Sequence, residues 1–322
     1  MRDRCPPERR RVRDVLHWAT LELRQSLQDA PSGSAETPYL DSLLLLSLAT
    51  GEPTERLLAA LPDEVGEDAL RRFVRLLDQR CRGTPVSYLR GTKEFYGREF
   101  CVNPAVLVPR PDTELLVESA IGIVDSLATE PGSLHLHDAF TGSGCIALTI
   151  AAERPDIMVS GSDVDDSALL VATANRARLL PPATSPSGER VPLWRSDVLD
   201  AAPREIRARE LPAPKIITAN PPYLTDSEYE GLRGRGWPEP EAALRGGADG
   251  LDLVRKLALQ AVTLLPPLGY LLVEVGSQQR STGVGILADA GFDDIEVQRD
   301  LAGRDRVLVA RRPAQRRHGN DD

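Results

Sequence analysis

Leu134-His135-Leu136-His137-Asp138-Ala139, then Phe140-Thr141-Gly142-Ser143-Gly144, then Cys145-Ile146-Ala147-Leu148-Thr149-Ile150-Ala151-Ala152 is the stretch whose reading decides the fold. An apolar run, a glycine-bearing turn and a second apolar run make a strand, a tight loop and a helix. The alternation then repeats. Ile157 to Asp163 reads as a strand, Ser167 to Arg178 as a helix, and Val191 to Arg195 as a short strand leading to Asp197. Lys215 to Ala219 reads as a strand that stops at Asn220-Pro221-Pro222-Tyr223. Leu251 to Leu265 is a helix, Gly269 to Val275 a strand and Gly276 to Ala290 mostly helix; Ile295 to Gln298 and Arg306 to Ala310 are strands around Ala302-Gly303. Such alternation predicts a parallel sheet with helices on both faces, an α/β fold.

In open parallel sheets, ligands sit beyond the carboxyl ends of the strands. Asp138, Asp163, Asp197 and Asn220 each fall at or just after such an end. Any one Asp alone reads as a loop or cap residue; the coincidence of all four with strand ends points to a site. Gly142-Ser143-Gly144-Cys145-Ile146-Ala147 also satisfies the G-x-G-x-x-A dinucleotide fingerprint, a weak signal alone. Asp163 lies about 20 residues beyond Gly142, where an acidic group binds ribose hydroxyls. Asp138 tips the balance: a carboxylate beside the loop repels a pyrophosphate but attracts an ammonium or sulfonium, as in S-adenosylmethionine.

Asn220-Pro221-Pro222-Tyr223 has its own chemistry. Two prolines withhold both N–H donors, which leaves the Asn220 amide and the Pro221 carbonyl as acceptors beside the Tyr223 ring. Such a set suits a planar NH2 group. The bland alternative is a strand followed by a proline turn.

Upstream, helical periodicity covers residues 8 to 30, Tyr39 to Ala49, Thr54 to Leu61 and Glu67 to Arg80, interrupted at Pro31 to Pro38 and Gly51 to Pro53. Nothing there carries catalytic residue types, so a docking module is expected over residues 1–82. Residues 83–108 alternate, predicting a hairpin linker; 109–312 form the large domain, with a mobile loop at Pro181 to Arg190 and a disordered tail at 313–322. The loop from Gly231 to Gly250 is long enough to be functional or disordered. In Pro109-Arg110-Pro111-Asp112-Thr113-Glu114, Asp112 or Thr113 is expected to cap the following helix. Capping leaves Arg110 unexplained, and it is counted with the substrate-binding residues.

The 322 residues carry a net charge of −9, which argues against stable nucleic acid binding. Arginines crowd both ends, from Arg2 to Arg13 and from Arg311 to Arg317, and read as solvated tails; a contact with RNA is left open. Cys5, Cys81, Cys101 and Cys145 have neither disulfide-framework nor zinc spacing, and no apolar run is long enough to span a bilayer. A cytoplasmic, monomeric protein without a metal is expected, and His135 and His137 are read as inner-strand residues.

Taken together, Pro109 to Glu114, Asn220 to Tyr223, Glu239-Pro240 with Gly246-Gly247-Ala248-Asp249-Gly250-Leu251, Glu274-Val275-Gly276 and Asp300 to Arg306 resemble the PrmC/HemK family of release factor glutamine methyltransferases. The resemblance runs from about Leu16 to Arg312. It implies a seven-stranded class I S-adenosylmethionine-dependent methyltransferase fold, Rossmann-like, with its last strand antiparallel and a small N-terminal helical domain. It implies methyl transfer to the glutamine side-chain nitrogen in the Gly-Gly-Gln loop of class I peptide chain release factors, modulating translation termination, with S-adenosyl-L-homocysteine as product. By position, Asp138, Ala139, Phe140, Thr141, Gly142 and Gly144 would line the methionine end of the cofactor. Asp163 would hold the ribose, Asp197 and Val198 would border the adenine, and Asn220 would touch cofactor and substrate. Asn220 to Tyr223 would be catalytic and grip the amide, with Phe100 as an apolar wall. The departure is Phe140, where the family has glycine; a ring there packs outward or narrows the loop. Rival readings are a ribosomal protein glutamine, an exocyclic amino group of a nucleic acid base, a protein that binds without catalysis, and an NAD-dependent dehydrogenase.

Overall fold

Alternation within single strands divides the larger part of the chain into two apolar layers. The computed structural model describes residues 10–27, 37–127, 130, 132–180, 190–234 and 236–314. The sequence features at Arg2 to Arg9, Cys5, most of Pro31 to Pro38, all but the last residue of Pro181 to Arg190 and the tail beyond 314 lie outside the described residues. Two units emerge, Met1–Thr92 with Glu230–Pro238, and Lys93–Tyr229 with Glu239–Asp322.

The first unit holds α1 (Val12–Ser26), α2 (Pro38–Thr50), α3 (Thr54–Ala59), α4 (Glu67–Cys81) and α5 (Val86–Arg90). Val15, Leu16, Ala19 and Leu23 recur every three or four residues on α1 and are buried against Leu45 and Leu46 of α2 and Phe73 and Leu77 of α4. Full burial of each large apolar side chain contributes roughly 1.5–3 kcal/mol. A buried ion pair, Arg80 to Asp41 at 2.8 Å, joins α4 to α2.

In the second unit a hairpin of β1 (Thr92–Phe95) and β2 (Arg98–Cys101) turns at Tyr96 and Gly97, both at positive φ, the two-residue geometry that matches strand twist. Only this part of 83–108 is hairpin; α5 takes up its start. The remaining elements are α6 (Glu114–Ser126), β3 (His135–Ala139), α7 (Cys145–Glu153), β4 (Met158–Asp163), α8 (Asp166–Leu179), β5 (Leu193–Arg195), α9 (Ala202–Ala208) and β6 (Ile216–Ala219). They continue with α10 (Asp226–Arg233), α11 (Asp252–Leu264), β7 (Tyr270–Glu274), α12 (Arg280–Asp289), β8 (Asp293–Arg299) and β9 (Asp305–Arg311).

Seven strands form one sheet in the order β5-β4-β3-β6-β7-β9-β8, in which β9 runs against the other six. This is the seven-stranded methyltransferase topology that the resemblance implies. Ile217 and Ala219 of β6, Leu271 and Val273 of β7 and Leu308 of β9 pack in one core with residues of α9, α11 and α12. Their neighbours Ile216, Leu272 and Val307 pack in the other, with α6 and α7. The period of two thus supplies a core on each face.

The imidazoles of His135 and His137 are buried and bonded to the Ser160 and Ser162 hydroxyls and the Pro212 carbonyl, and His137 stacks on Trp194 at 4.8 Å. They are core residues. Phe100, expected as a wall of the site, is fully buried in the α6/α7 core, edge-on to Phe95, because the inward face of β2 carries it there. No described helix is long and apolar enough to cross a membrane.

Candidate active site

The chain lays β4 and β5 to one side of β3, then crosses to β6 on the other, so the order reverses between β3 and β6. A crevice opens at such a switch point. It is lined by three groups of residues from the second unit: the loop after β3, the ends of β4 to β6, and two segments near Ala105–Thr113 and Pro240–Ala243.

The loop after β3 is shaped by backbone conformation. Phe140 has φ +59° and Gly142 +54°, left-handed values that turn the chain sharply before α7. A Cβ built on Gly142 would meet nothing closer than 4.0 Å, so that glycine faces open space in the cavity it lines. Asp138, at the end of β3, is wholly buried. Its carboxylate accepts from the hydroxyls of Thr141 and Thr218, both at 2.8 Å, and burial pushes its pKa up to about 7. It tethers the loop to β6 from beneath and does not line the cavity. Asp163 does line it: one carboxylate oxygen accepts from the Gly142 N–H at 2.9 Å and the other from the Asp165 N–H at 3.0 Å. With a further backbone bond from Val164, the carboxylate retains a lone-pair site that can accept from a hydroxyl.

Opposite stands Asn220. Its Nδ2 donates to the Thr113 hydroxyl at 3.2 Å, while its Oδ1 is buried without a hydrogen-bond partner. Nearby, the carboxyl of Glu274 is buried, and burial pushes it up to about 7. Thr113 does not cap α6, nor does Asp112, which pairs with Arg306 at 2.9 Å. Pro221 and Pro222 are buried, and Pro222 lines the cavity. Tyr223 stands behind it, its phenol pushed up to about 12 by burial.

The segment after α10 holds these residues in place. Gln279 Nε2 donates to the Tyr223 carbonyl at 2.9 Å and to the Asp249 carbonyl at 3.1 Å. Gly250 must be glycine, since a Cβ there would come within 2.2 Å of the Tyr223 carbonyl oxygen. Glu239, fully buried at its side chain, accepts from the Val108 N–H at 3.0 Å and from Arg110 at 2.5 Å, tying two walls of the cavity together. Residues 239–250 of the long loop after Gly231 thus belong to the site.

The cavity therefore unites Arg110, Phe140, Thr141, Gly142, Asp163, Asp197, Val198, Asn220 and Pro222 of the residues expected from sequence. Asp138, Ala139, Gly144, Pro221 and Tyr223 are not among the lining residues. Asp197 sits at the rim with its carboxylate 2.7 Å from Lys256. Glu239, Glu274 and Gln279 acquired no role from sequence and Thr113 only that of a helix cap, although Glu274 ends a buried strand. Asp163, Asp165 and Asp197 outnumber the single lining base Arg110, which favours a cationic ligand over a dinucleotide pyrophosphate. The open face of Gly142 and the hydroxyl-accepting Asp163 fit S-adenosylmethionine, and Asn220 lines the same cavity.

Residues 14–91 match the family described as the PrmC N-terminal domain. The chain is 36% identical over 282 residues to the release factor glutamine methyltransferase of Neisseria gonorrhoeae, covering 87% of this chain and 95% of the relative. It is 38% identical over 297 residues to that of Moorella thermoacetica, covering 91% and 99%, and 33% identical over 299 residues to that of Bacillus subtilis, covering 92% and 96%.

Proposed function

The chain belongs to the release factor glutamine methyltransferases, and from that premise we propose that it methylates the side-chain amide nitrogen of the glutamine in the Gly-Gly-Gln loop of class I release factors, with S-adenosylmethionine as methyl donor. The observation that carries this reading is the buried, unpartnered Oδ1 of Asn220, a residue of the crevice lining. A buried acceptor without a donor is unfavourable by about 1–3 kcal/mol, and an incoming NH2 group relieves it.

When bound, S-adenosylmethionine supplies an electrophilic methyl group on a sulfonium. The chain's own residues supply position. An amide nitrogen is a poor nucleophile because its lone pair is shared with its carbonyl. Asn220 Oδ1 and the Pro221 carbonyl accept from the two N–H bonds, which favours the pyramidal, partly positive nitrogen of the transition state. The nitrogen–carbon bond forms as the carbon–sulfur bond breaks, and the cationic amide then gives a proton to water without a strong base. Holding the reactants in a near-attack geometry can supply about 7–11 kcal/mol of the barrier. Asp163 accepts from a ribose hydroxyl, and the Asp138 tether keeps the loop shaped for the methionine end. The net charge of −9 disfavours nucleic acid amino groups as the acceptor.

The test is mass spectrometry of release factor peptides after incubation with the protein and S-adenosylmethionine. One added methyl on the Gly-Gly-Gln glutamine is expected. Asn220→Ala should lower transfer by at least about a hundredfold, the scale for losing one preorganised hydrogen-bonding group, while S-adenosylmethionine still binds. Wild-type turnover in that variant would remove Asn220 from the mechanism.

A further inference from the structure

Asn175 of α8 is wholly buried and is not among the residues lining the crevice, yet its amide is bonded to the backbone of two other segments. Its Oδ1 accepts from the Cys101 N–H at 2.7 Å, and its Nδ2 donates to the Cys101 carbonyl at 3.0 Å and to the Ser143 carbonyl at 2.9 Å. The two bonds to Cys101 imitate a neighbouring strand at the end of β2. The third reaches the glycine loop at Ser143, a lining residue. One acceptor and two donors on a short stem are what asparagine offers; an ionised aspartate has no donor and a serine only one. The loop also lies close on α8, since a Cβ built on Gly144 would come within 3.4 Å of the Ala172 side chain.

We propose that Asn175 is a positioning residue for the methyl-donor site: it fastens the Ser143 peptide to the end of β2, so that the glycine loop holds its binding shape before the cofactor arrives. The proposal rests on the methyl-donor reading of the crevice and adds a residue from outside its lining. Asn175 acts through Ser143. When the loop opens, the amide that holds Ser143 also loosens its hold on Cys101, so loop and strand end open together.

The first test uses the wild type, with amide exchange followed with and without S-adenosyl-L-homocysteine. Cys101 does not line the cavity, but its N–H is held by Asn175. Its exchange should slow at least about tenfold on saturation, along with that of Gly142 and Gly144. Slowing at Gly144 with no change at Cys101 overturns the proposal.

The second test is calorimetric titration of variants with S-adenosyl-L-homocysteine. Asn175→Ala removes all three bonds, whereas Asn175→Asp keeps the shape and the acceptor for Cys101 but, when ionised, has no donor for either carbonyl. Both should bind about tenfold to a hundredfold more weakly, the scale of a buried hydrogen bond lost from the site. Val171→Ala empties a buried position on the same helix and should lower stability while binding as the wild type does. Weaker binding in both Asn175 variants beside wild-type binding in Val171→Ala supports the proposal. Wild-type affinity in Asn175→Ala, or an equal loss in Val171→Ala, overturns it. If an Asn175 variant fails to fold, the exchange of Cys101 in the wild type decides. A wild-type protein without saturable S-adenosyl-L-homocysteine binding overturns the methyl-donor reading instead.

Discussion

Phe140 holds a left-handed backbone at φ +59° although it bears a side chain, and its ring packs against the core containing Trp194 and Val198 while lining the cavity. Left-handed backbone costs a side-chain-bearing residue roughly 1–2 kcal/mol. The ring offsets this by burial, so neither outward packing nor simple narrowing of the loop describes it. Two truncations separate the terms. Phe140→Ala and Phe140→Gly both lose the ring, but only glycine is relieved of the strain, so Phe140→Gly should be the more stable of the two by about 1 kcal/mol in urea unfolding. Equal stabilities would show that the turn carries no strain. The substitution itself was legible in the sequence; the facing of Asp138 was not. A carboxylate at a strand end can project towards a ligand or sideways to a neighbour, and its neighbour Thr218 lies 80 residues further along the chain.

Strands β3 and β7 carry four buried groups whose protonation departs from that of the unfolded chain. Burial holds His135 at about 4 and His137 at about 3, and raises Asp138 and Glu274 to about 7. The imidazoles contribute stability above their unfolded value of 6.5 that is lost as pH falls, whereas the carboxyls contribute stability at low pH that is lost as pH rises through about 7. Between about pH 5 and 6 the folded state holds two carboxyl protons and the unfolded state two imidazole protons, so the slopes cancel. Glu274→Gln removes one folded-state proton. Its stability relative to wild type should therefore rise by about 1.4 kcal/mol per pH unit across that window, read from urea titrations. Parallel curves would mean that Glu274 is ionised in the fold. These strands were visible in the sequence because two-residue alternation survives burial on both faces. Helices α5, α9 and α10 were not: α9 buries only Ala202 and Ile206, too few to show a period, and carries Pro203 in its first turn. Thr113 likewise looked like a cap because its partner, Asn220, follows a strand far along the chain.

Each unit has a core of its own. Leu16, Leu45, Phe73 and Leu77 close the helical one, while every residue lining the crevice falls between Ala105 and Leu253 of the second unit. A ligand stabilises only those openings that destroy its site, by an amount set by its concentration relative to its dissociation constant. S-adenosyl-L-homocysteine at about a hundred times that constant adds about 2.7 kcal/mol, which corresponds to roughly a hundredfold slower amide exchange wherever exchange requires the site to open. The Gly142 and Gly144 amides, both hydrogen-bonded around the loop, and the Asp165 amide on Asp163 should slow most. Amides of α1 and α4 belong to a core that contributes no residue to the lining, and should exchange at unchanged rates. Uniform slowing across both units would show that they open as one cooperative body, and the helical unit would then sense cofactor through the global equilibrium; no slowing at Gly142 would remove the glycine loop from the cofactor site. The expected split places methyl-donor binding in the second unit alone.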